Sequence, residues 1–425
     1  MSIRQFLFLF GLLLFAPAWA QNPPALMLTL NEALTSARSN LDVALGRSAL
    51  DAAQADVLSA NRSPFPAVIA KFGQIDLKNG TGSGNLFTEQ RIDKSIGLDW
   101  TWERGNKRQL RTLTAQNAAA AATADLDEVR TQQQLLTQAG FFDLLAAQER
   151  VLQIATIERS AAQLAATAQK RVAAGDLAAQ DAARTEIEAQ RALSDLQISE
   201  LDQQRARIVL WQLTGINTPP ERLQAQADWP FFGYETASAQ DLQARVEARA
   251  DVKAAQARVQ AAQSALDGSA AQKRSDITWG ASYDHYPGVS TALLELRLQM
   301  PLQWGYRYQG EIARATAQLI QAQDALEKTR RLATSELQRL RQEVIGTSQR
   351  AQRYDTDILP RARRVAEGAE LAYNKGALSL TDLLDARRTL RATLLEALAA
   401  KTEHAKAAGA WRLRTELPNT DKPTH

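Results

Sequence analysis

This 425-residue chain lacks, or nearly lacks, several residue types that build common functional sites. It has no cysteine, which excludes disulfides, thiolate nucleophiles, cysteine-based zinc sites and a lipidated cysteine at a mature N-terminus. Three histidines and three methionines provide few ligands for soft metals. No HExxH, GxSxG or Walker-type motif occurs in the sequence. We therefore predict a protein that is not an enzyme, with no catalytic or metal-ligating residues and no cofactor.

An excess of charge of one sign is also missing. The 50 basic and 47 acidic residues give a formal net charge of +3, and no basic block is interleaved with aromatic residues. Nucleic-acid binding is therefore not expected. The mixed charges instead fit the solvated faces of helices.

Long apolar runs are absent except at the N-terminus. Arg4 precedes an apolar stretch from Phe6 to Phe15, which is followed by an Ala18-Trp19-Ala20 cleavage motif. Because this run is too short to span a bilayer, residues 1–20 are predicted to be a cleaved signal peptide. The mature protein is expected to be exported and, if it enters a membrane, to do so through strands.

The sequence contains an internal duplication. A Thr-x-x-Glu helix-capping signal at 29–32 has a Ser-x-x-Asp counterpart at 238–241, which begins 209 positions later. A Gly-x-Leu turn followed by an aspartate, at 175–181, recurs 201 positions later at 376–382. The predicted divisions are a first structural repeat at 21–232, a second at 233–417 and a disordered tail at 418–425.

Each repeat contains two strand-like segments of alternating polarity. They lie at 67–76 and 91–103 in the first repeat and at 276–286 and 292–303 in the second. A length of about 9–12 residues suits a strand that crosses the outer membrane at a tilt, although a soluble sheet with one buried face would alternate in the same way. Aromatic residues at the strand ends, where a membrane-interface girdle would lie, are Trp100, Trp102, Trp304 and Tyr306. Four strands cannot close a barrel and lipid does not tolerate open edges, so several copies are expected to complete one.

Helices are predicted around the strand pairs. One runs from about Leu30 to Ala60, and long ones follow at about 106–174 and 308–375, the last interrupted by Pro360. Apolar residues recur at steps of three and four from Leu144 to Ala168, as in coiled coils. A helix of this length would extend ~100 Å at ~1.5 Å per residue, so the helices must pack side by side in an elongated bundle or tube.

Together these features resemble the TolC family of outer-membrane efflux proteins over nearly the whole mature chain. The resemblance rests on the repeated order of helix, strand pair, long helix, Gly-Leu tip and returning helix. Its most specific stretch runs from Tyr373 to Leu378 and continues from Thr381 to Ala386. The segments 359–362 and 385–388 are most similar to outer-membrane components of heavy-metal cation efflux.

The resemblance implies an α+β membrane protein that works as a homotrimer in the outer membrane, with a large periplasmic portion. Three copies would form a 12-stranded barrel continuous with a long periplasmic α-helical barrel. The protein would be the passive exit duct of a tripartite efflux system, and its partners would be a periplasmic adaptor protein, an inner-membrane pump of the RND type and outer-membrane lipid. Two alternatives remain open: the outer-membrane component of a type I protein secretion system, and a soluble periplasmic coiled-coil adaptor.

The resemblance also implies roles at the two helix tips. Gly175 and Gly376 would form the turns, since a tight turn between helices often needs a positive φ. The residues expected to dock the adaptor are Gly175, Leu177, Asp181, Gly376 and Leu378.

A constriction is expected just beyond the second tip. Asp382 and Asp385 lie three positions apart on one helix face, and the resemblance implies that three copies of the pair form the periplasmic iris. In a single helix the same pair would be a solvated acidic first turn. The best-known family members have arginine at the position of Leu378, so the closed state here needs other ion pairs or is held more weakly. The candidate partners are Lys375, Arg387 and Arg388.

Overall fold

The computed structural model describes residues 26–75, 77–80, 82–85, 91–233, 239–287 and 289–415. The predicted signal peptide, Ser238 of the second capping signal and the predicted tail lie outside these ranges. Within the ranges, no helix is both long enough and apolar enough to cross a bilayer.

The described elements occur in two rounds of similar order. The first round comprises β1 (Leu26–Leu28), α1 (Leu30–Ser36), α2 (Leu41–Ala60), β2 (Ala67–Gly73), β3 (Asp93–Trp102), α3 (Lys107–Ala173), α4 (Ala179–Thr214) and β4 (Leu223–Ala225). The second comprises α5 (Ala239–Ala248), α6 (Ala250–Ala271), β5 (Ile277–Tyr286), β6 (Ser290–Gln299), α7 (Gln309–Arg353), α8 (Leu359–Asn374) and α9 (Leu380–Thr415). Each round therefore places a strand pair between shorter helices and a long helical hairpin.

The four longer strands form one antiparallel sheet in the order β2-β3-β5-β6. The central pairing of β3 with β5 joins the two rounds, with Trp102 opposite Ile277. The outer edges of β2 and β6 have no partner strand among the described residues. The sheet thus ends in two open edges.

The strands alternate between polar and apolar residues as predicted, but their ends differ from the predicted ends. The predicted segment 292–303 extends beyond β6, which spans Ser290–Gln299. Pro301 accounts for this end, because proline has no amide hydrogen to donate to a neighbouring strand. On β3, Ile96 and Leu98 are exposed on the apolar face, whereas Asp99 lies on the polar face.

The capping signal at the start of the first round forms the predicted capping box. The Thr29 hydroxyl accepts from the Glu32 N–H at 3.3 Å, and the Thr29 N–H donates to the Glu32 carboxylate at 2.8 Å. The single helix predicted from Leu30 to Ala60 is wrong, because Asn40 starts a new helix. Its side chain accepts from the Asp42 N–H at 3.0 Å and so caps α2.

The long helices have the predicted length. α3 contains 67 residues and would extend ~100 Å; Leu144, Ile154 and Ala168 of its predicted apolar stripe are buried. Pro360 does not break the second helical tract outright. A π-helical segment, Tyr354–Ile358, precedes it and joins α7 to α8, because proline cannot donate the usual bond to the carbonyl four residues earlier.

The main apolar core lies near the middle of the helices. Phe141 of α3, Leu210 of α4, Leu223 of β4 and Ala405 of α9 are buried in one cluster. Each such apolar side chain contributes about 1.5–3 kcal/mol when it is removed from water. The cluster contains residues from both rounds and therefore holds them together at this level.

A buried ion network reinforces the junction of four helices. Arg249 donates to Asp251 and Glu336, each at 2.8 Å, and Arg414 donates to Glu336 at 3.1 Å and Glu128 at 2.9 Å. Burial alone would lower the pKa of Arg249, but the two carboxylates raise it above its ordinary value. Because a buried arginine without a partner would be costly, this network fixes α3, α6, α7 and α9 relative to one another.

Candidate functional site: helix tips, interhelical ion pairs and the polar sheet face

The tip between α3 and α4 is a Schellman turn. The Gly175 N–H donates to the Val172 carbonyl at 3.0 Å, and the Asp176 N–H donates to the Arg171 carbonyl at 2.8 Å. Gly175 has a φ of 82°, a left-handed conformation that other residues rarely adopt.

The tip between α8 and α9 has the same backbone geometry. The Gly376 N–H donates to the Tyr373 carbonyl at 3.0 Å, and the Ala377 N–H donates to the Ala372 carbonyl at 2.9 Å. Gly376 has a φ of 73°. The duplicated sequence motif therefore builds the same turn twice.

The other predicted tip residues lie immediately beyond these turns. Leu177 and Leu378 each follow the tip glycine by two positions and are half-buried, as is Asp181 in the first turn of α4. Neither leucine is in an apolar core cluster. Each tip thus presents a partly exposed leucine beside a polar turn.

The two predicted iris aspartates are both exposed in the single chain. Asp382 accepts from the Ser379 hydroxyl at 2.7 Å, and its own N–H donates to the same hydroxyl oxygen at 3.2 Å. Asp382 therefore also supports the start of α9 as part of an N-terminal cap. Asp385 lies one turn further along, where its negative charge makes a small contribution to the raised pKa of Arg388, after the larger effect of Glu188.

Arginines of α9 form ion pairs with carboxylates of two neighbouring helices. Arg388 contacts Glu188 of α4, and Arg387 contacts Glu370 of α8 at 2.8 Å. The hydrogen bond from Arg388 lowers the pKa of Glu188, although burial acts in the opposite direction. Of the three cations suggested for the closed state, Lys375 forms no ion pair within the described part of the chain.

A second pair between α9 and α4 is not evident from the sequence. Arg391 contacts Asp195 at 2.6 Å. Arg391 and Asp195 are 196 positions apart in the sequence (391 minus 195), and Arg388 and Glu188 are 200 positions apart. Both separations are close to the 201-position repeat, because α4 and α9 are equivalent helices of the two rounds whose long side chains meet in these ion pairs. The repeat offset is therefore the sequence signal that could have suggested these pairs.

The same arginines line a groove of about 550 Å³. Side chains of α3, such as Leu152 and Ile157, line it together with Leu384 and Leu394 of α9 and Ala192 of α4. The ion pairs connect α4 and α9 beside this groove. At this level charged side chains, and not a continuous apolar seam, connect the two helices.

The polar face of the sheet contains a further ion pair. Asp99 of β3, Gly280 of β5 and Arg297 of β6 lie in one row across three strands. The Arg297 guanidinium contacts the Asp99 carboxylate at 2.5 Å, above the glycine. Glu295 lies on the same face, on the polar side of β6.

The predicted interface aromatics all lie near the sheet end that adjoins the helices. Trp100 and Trp102 are 62% and 59% exposed, and Trp304 and Tyr306 are 86% and 48% exposed. Trp304 and Tyr306 follow the end of β6 and are not part of a strand. Such exposed rings are costly in water but favourable at a membrane interface.

No group of three or more His, Asp or Glu side chains among the described residues could hold a metal ion. His404 is fully buried, and one ring nitrogen lies 3.2 Å from the Phe231 carbonyl. This histidine therefore packs inside the helices as a structural residue.

Comparison with known proteins gives one consistent picture. No protein-family model matches the chain. A curated relative is the cobalt-zinc-cadmium resistance protein CzcC of Cupriavidus metallidurans, which is 27% identical over 366 residues, or 85% of this chain and 84% of CzcC.

Solved structures share the fold at low sequence identity. CusC, described as forming a transmembrane channel, aligns with a TM-score of 0.78 at 16% identity over 94% of this chain and 95% of its own. The outer membrane protein VceC of Vibrio cholerae aligns with a TM-score of 0.74 at 17% identity over 91% of this chain and 95% of its own. A membrane protein of Pseudomonas aeruginosa aligns with a TM-score of 0.77 at 16% identity, covering 91% and 93% of the two chains.

Proposed function

We propose that the chain is a TolC-like outer-membrane channel protein and the passive exit duct of a tripartite efflux system. In this role it assembles as a homotrimer and receives substrate from an inner-membrane pump of the RND type through a periplasmic adaptor. The observation that carries the proposal is a four-stranded sheet with an exposed apolar face and two open edges, continuous with helices of up to 67 residues.

The open edges support the trimer. In lipid, every unpaired strand edge leaves backbone groups without hydrogen bonds, at a cost of several kcal/mol per group. If β6 of one copy pairs with β2 of the next, three four-stranded sheets close into twelve strands. Closure removes every edge at once, which a single chain cannot do.

The two faces of the sheet support a duct through the membrane. Residues such as Ile96, Leu98 and Leu296 are exposed on the apolar face, where they would contact lipid. Asp99 and Arg297 on the other face would then line a water-filled lumen. Substrate would pass through without chemical change.

The tips support docking of the adaptor. Leu177 and Leu378 are partly exposed beside two turns of equal geometry, and apolar side chains at an exposed tip gain most from a partner surface. Asp382 and Asp385 would then ring the opening, where six carboxylates per trimer favour cations.

The expected substrates are heavy-metal cations. The support is the curated relative CzcC, a cobalt-zinc-cadmium resistance protein. A type I secretion component would share the fold, but the relative and the acidic opening favour cation efflux. The fold of outer-membrane channels speaks against a soluble adaptor.

The proposal is tested by mass and conductance. The mature protein should need detergent for extraction and should have the mass of a trimer by light scattering in that detergent. Reconstituted in a planar bilayer, it should conduct ions with cation selectivity. A detergent-free soluble monomer or dimer would refute the proposal.

A further inference from the structure

The end of the sheet that adjoins the helices is strongly basic. All four strands meet the helices at this end, since Trp102 lies opposite Ile277 and Thr278 lies opposite Gln299. The basic residues just outside the strand ends are Arg62, Arg104, Lys107, Arg108, Arg111, Lys273, Arg274 and Arg307. These eight residues are called the basic belt below.

The acidic residues at this end are already engaged. Glu103 pairs with Arg111 at 2.9 Å, and Asp276 pairs with Lys107 at 2.8 Å. Glu311 accepts from the Tyr306 hydroxyl at 2.5 Å. Of these three carboxylates only Glu311 forms no ion pair among the described residues, so one negative charge is left at this junction against the rest of the basic belt.

The remaining belt residues form no ion pair within the described ranges. They are Arg62, Arg104, Arg108, Lys273, Arg274 and Arg307. The Arg108 guanidinium donates only to the Ser63 hydroxyl at 2.9 Å, and the Arg104 guanidinium lies 3.8 Å from the Met300 sulfur. Lys273, Arg274 and Arg307 are exposed. Each chain therefore presents six positive charges without an ion-pair partner among the described residues, against the single unpaired carboxylate of Glu311.

The residues around the basic belt are arranged in the same order as the layers of a lipid leaflet. The apolar sheet face comes first, then exposed Trp100, Trp102 and Trp304, and then the basic belt. Acyl chains, the glycerol region and phosphates follow in the same order in a phospholipid leaflet, and tryptophan favours the middle region.

The described residues at the opposite end of the sheet carry charges of both signs. Lys71, Arg91 and Lys94 lie there near Asp93 and Asp284.

We propose that the basic belt binds the phosphate groups of anionic phospholipids in the periplasmic leaflet of the outer membrane. The inference rests on the proposed function, because it requires the sheet to lie in the membrane. Guanidinium groups match phosphate geometry and lose little hydration on binding. In a chain without a cysteine for an acyl anchor, these contacts set the height of the sheet in the bilayer.

The test compares lipids that differ only in headgroup charge. The melting temperature of the detergent-solubilised trimer is measured with added phosphatidylglycerol, with phosphatidylcholine of the same acyl chains, and with inorganic phosphate. Phosphatidylglycerol should raise the melting temperature, and the other two should not. An equal effect of phosphatidylcholine would refute a charge-selective site, and an equal effect of inorganic phosphate would reduce the belt to a free-anion site.

Two triple variants with the same change in charge test whether the effect of phosphatidylglycerol depends on the basic belt. Lys273→Glu with Arg274→Glu and Arg307→Glu should raise the phosphatidylglycerol concentration for half-maximal effect about tenfold or more. The control Arg353→Glu with Arg363→Glu and Arg364→Glu changes three exposed arginines on the helices and should respond like wild type. A belt variant that responds like wild type, or a control that loses the effect equally, would overturn the proposal.

Different experimental outcomes would refute the lipid-binding role of the basic belt and the proposed function. If the triple belt variant does not fold, Lys273→Gln with Arg274→Gln should give a smaller shift of the same direction, and no shift would count against the belt. A wild-type protein that needs detergent but ignores headgroup charge would refute the belt alone. Extraction without detergent would refute the proposed function.

Discussion

Asp99 and Arg297 lie on strands separated by a third strand, yet their side chains form an ion pair at 2.5 Å. The contact is possible because the residue between them is Gly280. A Cβ atom at Gly280 would lie 2.5 Å from the Asp99 carboxylate and 3.1 Å from the Arg297 guanidinium. The glycine therefore allows Arg297 to neutralise one carboxylate on the polar face of the sheet.

Arg297→Gln should remove the cation of this pair and leave one unneutralised carboxylate per chain. Reconstituted channels should become more cation-selective, as measured by reversal potential in a salt gradient. The stability loss should be modest, about 1 kcal/mol, because the pair is only partly buried. Adding Asp99→Asn to the variant should cancel the gain in selectivity, and a gain that persists would assign it to another group.

Glu188→Gln should weaken the link between α4 and α9. An exposed ion pair contributes about 0.5–1 kcal/mol, so three copies per trimer contribute about 2 kcal/mol, or about thirtyfold in the closed-to-open ratio. Single-channel recordings should show a higher open fraction. Glu186→Gln is the matched control, since Glu186 accepts only from Gln190 on the same helix. An equal open fraction in both variants would show that Glu188 has no role in gating.

The same pair predicts a pH dependence. Arg388 holds the pKa of Glu188 below its ordinary value of 4.5, so the contribution of the pair is complete above that value and is lost as the pH falls through the lowered pKa. The open fraction should stay constant above pH 4.5 and rise only as the pH falls below it. Glu188→Gln should not show this rise. A transition near pH 6 in the wild type would assign gating to another group.

Asp382→Asn with Asp385→Asn should relieve block by multivalent cations added on the periplasmic side. The change removes six charges per trimer while asparagine can still accept from Ser379, so the start of α9 should stay intact. Blocking affinity and cation selectivity are the measurements, and conductance need not rise because the constriction remains. If Asp176→Asn at the other tip relieves block equally, the effect is a general surface charge.

Leu177→Asp with Leu378→Asp should abolish export while trimers still form. Both side chains lie beyond the turns and outside the core clusters, so folding does not depend on them. Substrate resistance of cells and the detergent-solubilised mass are measured together. The control Asp176→Asn with Lys375→Gln changes the same turns but keeps the leucines, and should leave export intact. Normal export by the leucine variant would exclude the tips from docking.

The local features of this fold could be predicted from sequence because they depend on neighbouring residues. The tip glycines, the capping box at Thr29 and the alternation of β3 are all short-range patterns. The break at Asn40 was missed because the apolar spacing continues through it, although the Asn40 amide also reaches the Leu213 carbonyl at 3.0 Å. That contact depends on the distant end of α4.

The ion pairs of the candidate site could be predicted only in part. The arginines at 387 and 388 were identifiable from their position near the tip, but their partners depend on which helices become neighbours. The sequence likewise gives no sign of a partner for Asp99, whereas the sheet order brings it to Arg297. The whole fold determines which residues of neighbouring strands and helices lie opposite each other. Ion pairs between the two repeats can therefore be identified only once that register is known.

The π-helical segment before Pro360 changes the phase of the second helical tract. Buried residues of α7 recur at seven-residue intervals, at Leu337, Val344 and Ala351, but the next one is Leu359, eight positions on. Ala366 then resumes the seven-residue interval. In a regular α-helix this extra residue would rotate α8 by about 100°, but the wider π-helical turn absorbs it and keeps the buried stripe of α8 in line with that of α7. A chain with one residue deleted from 354–358 and Pro360→Ala would restore an uninterrupted heptad, so the segment is an insertion that proline keeps in place.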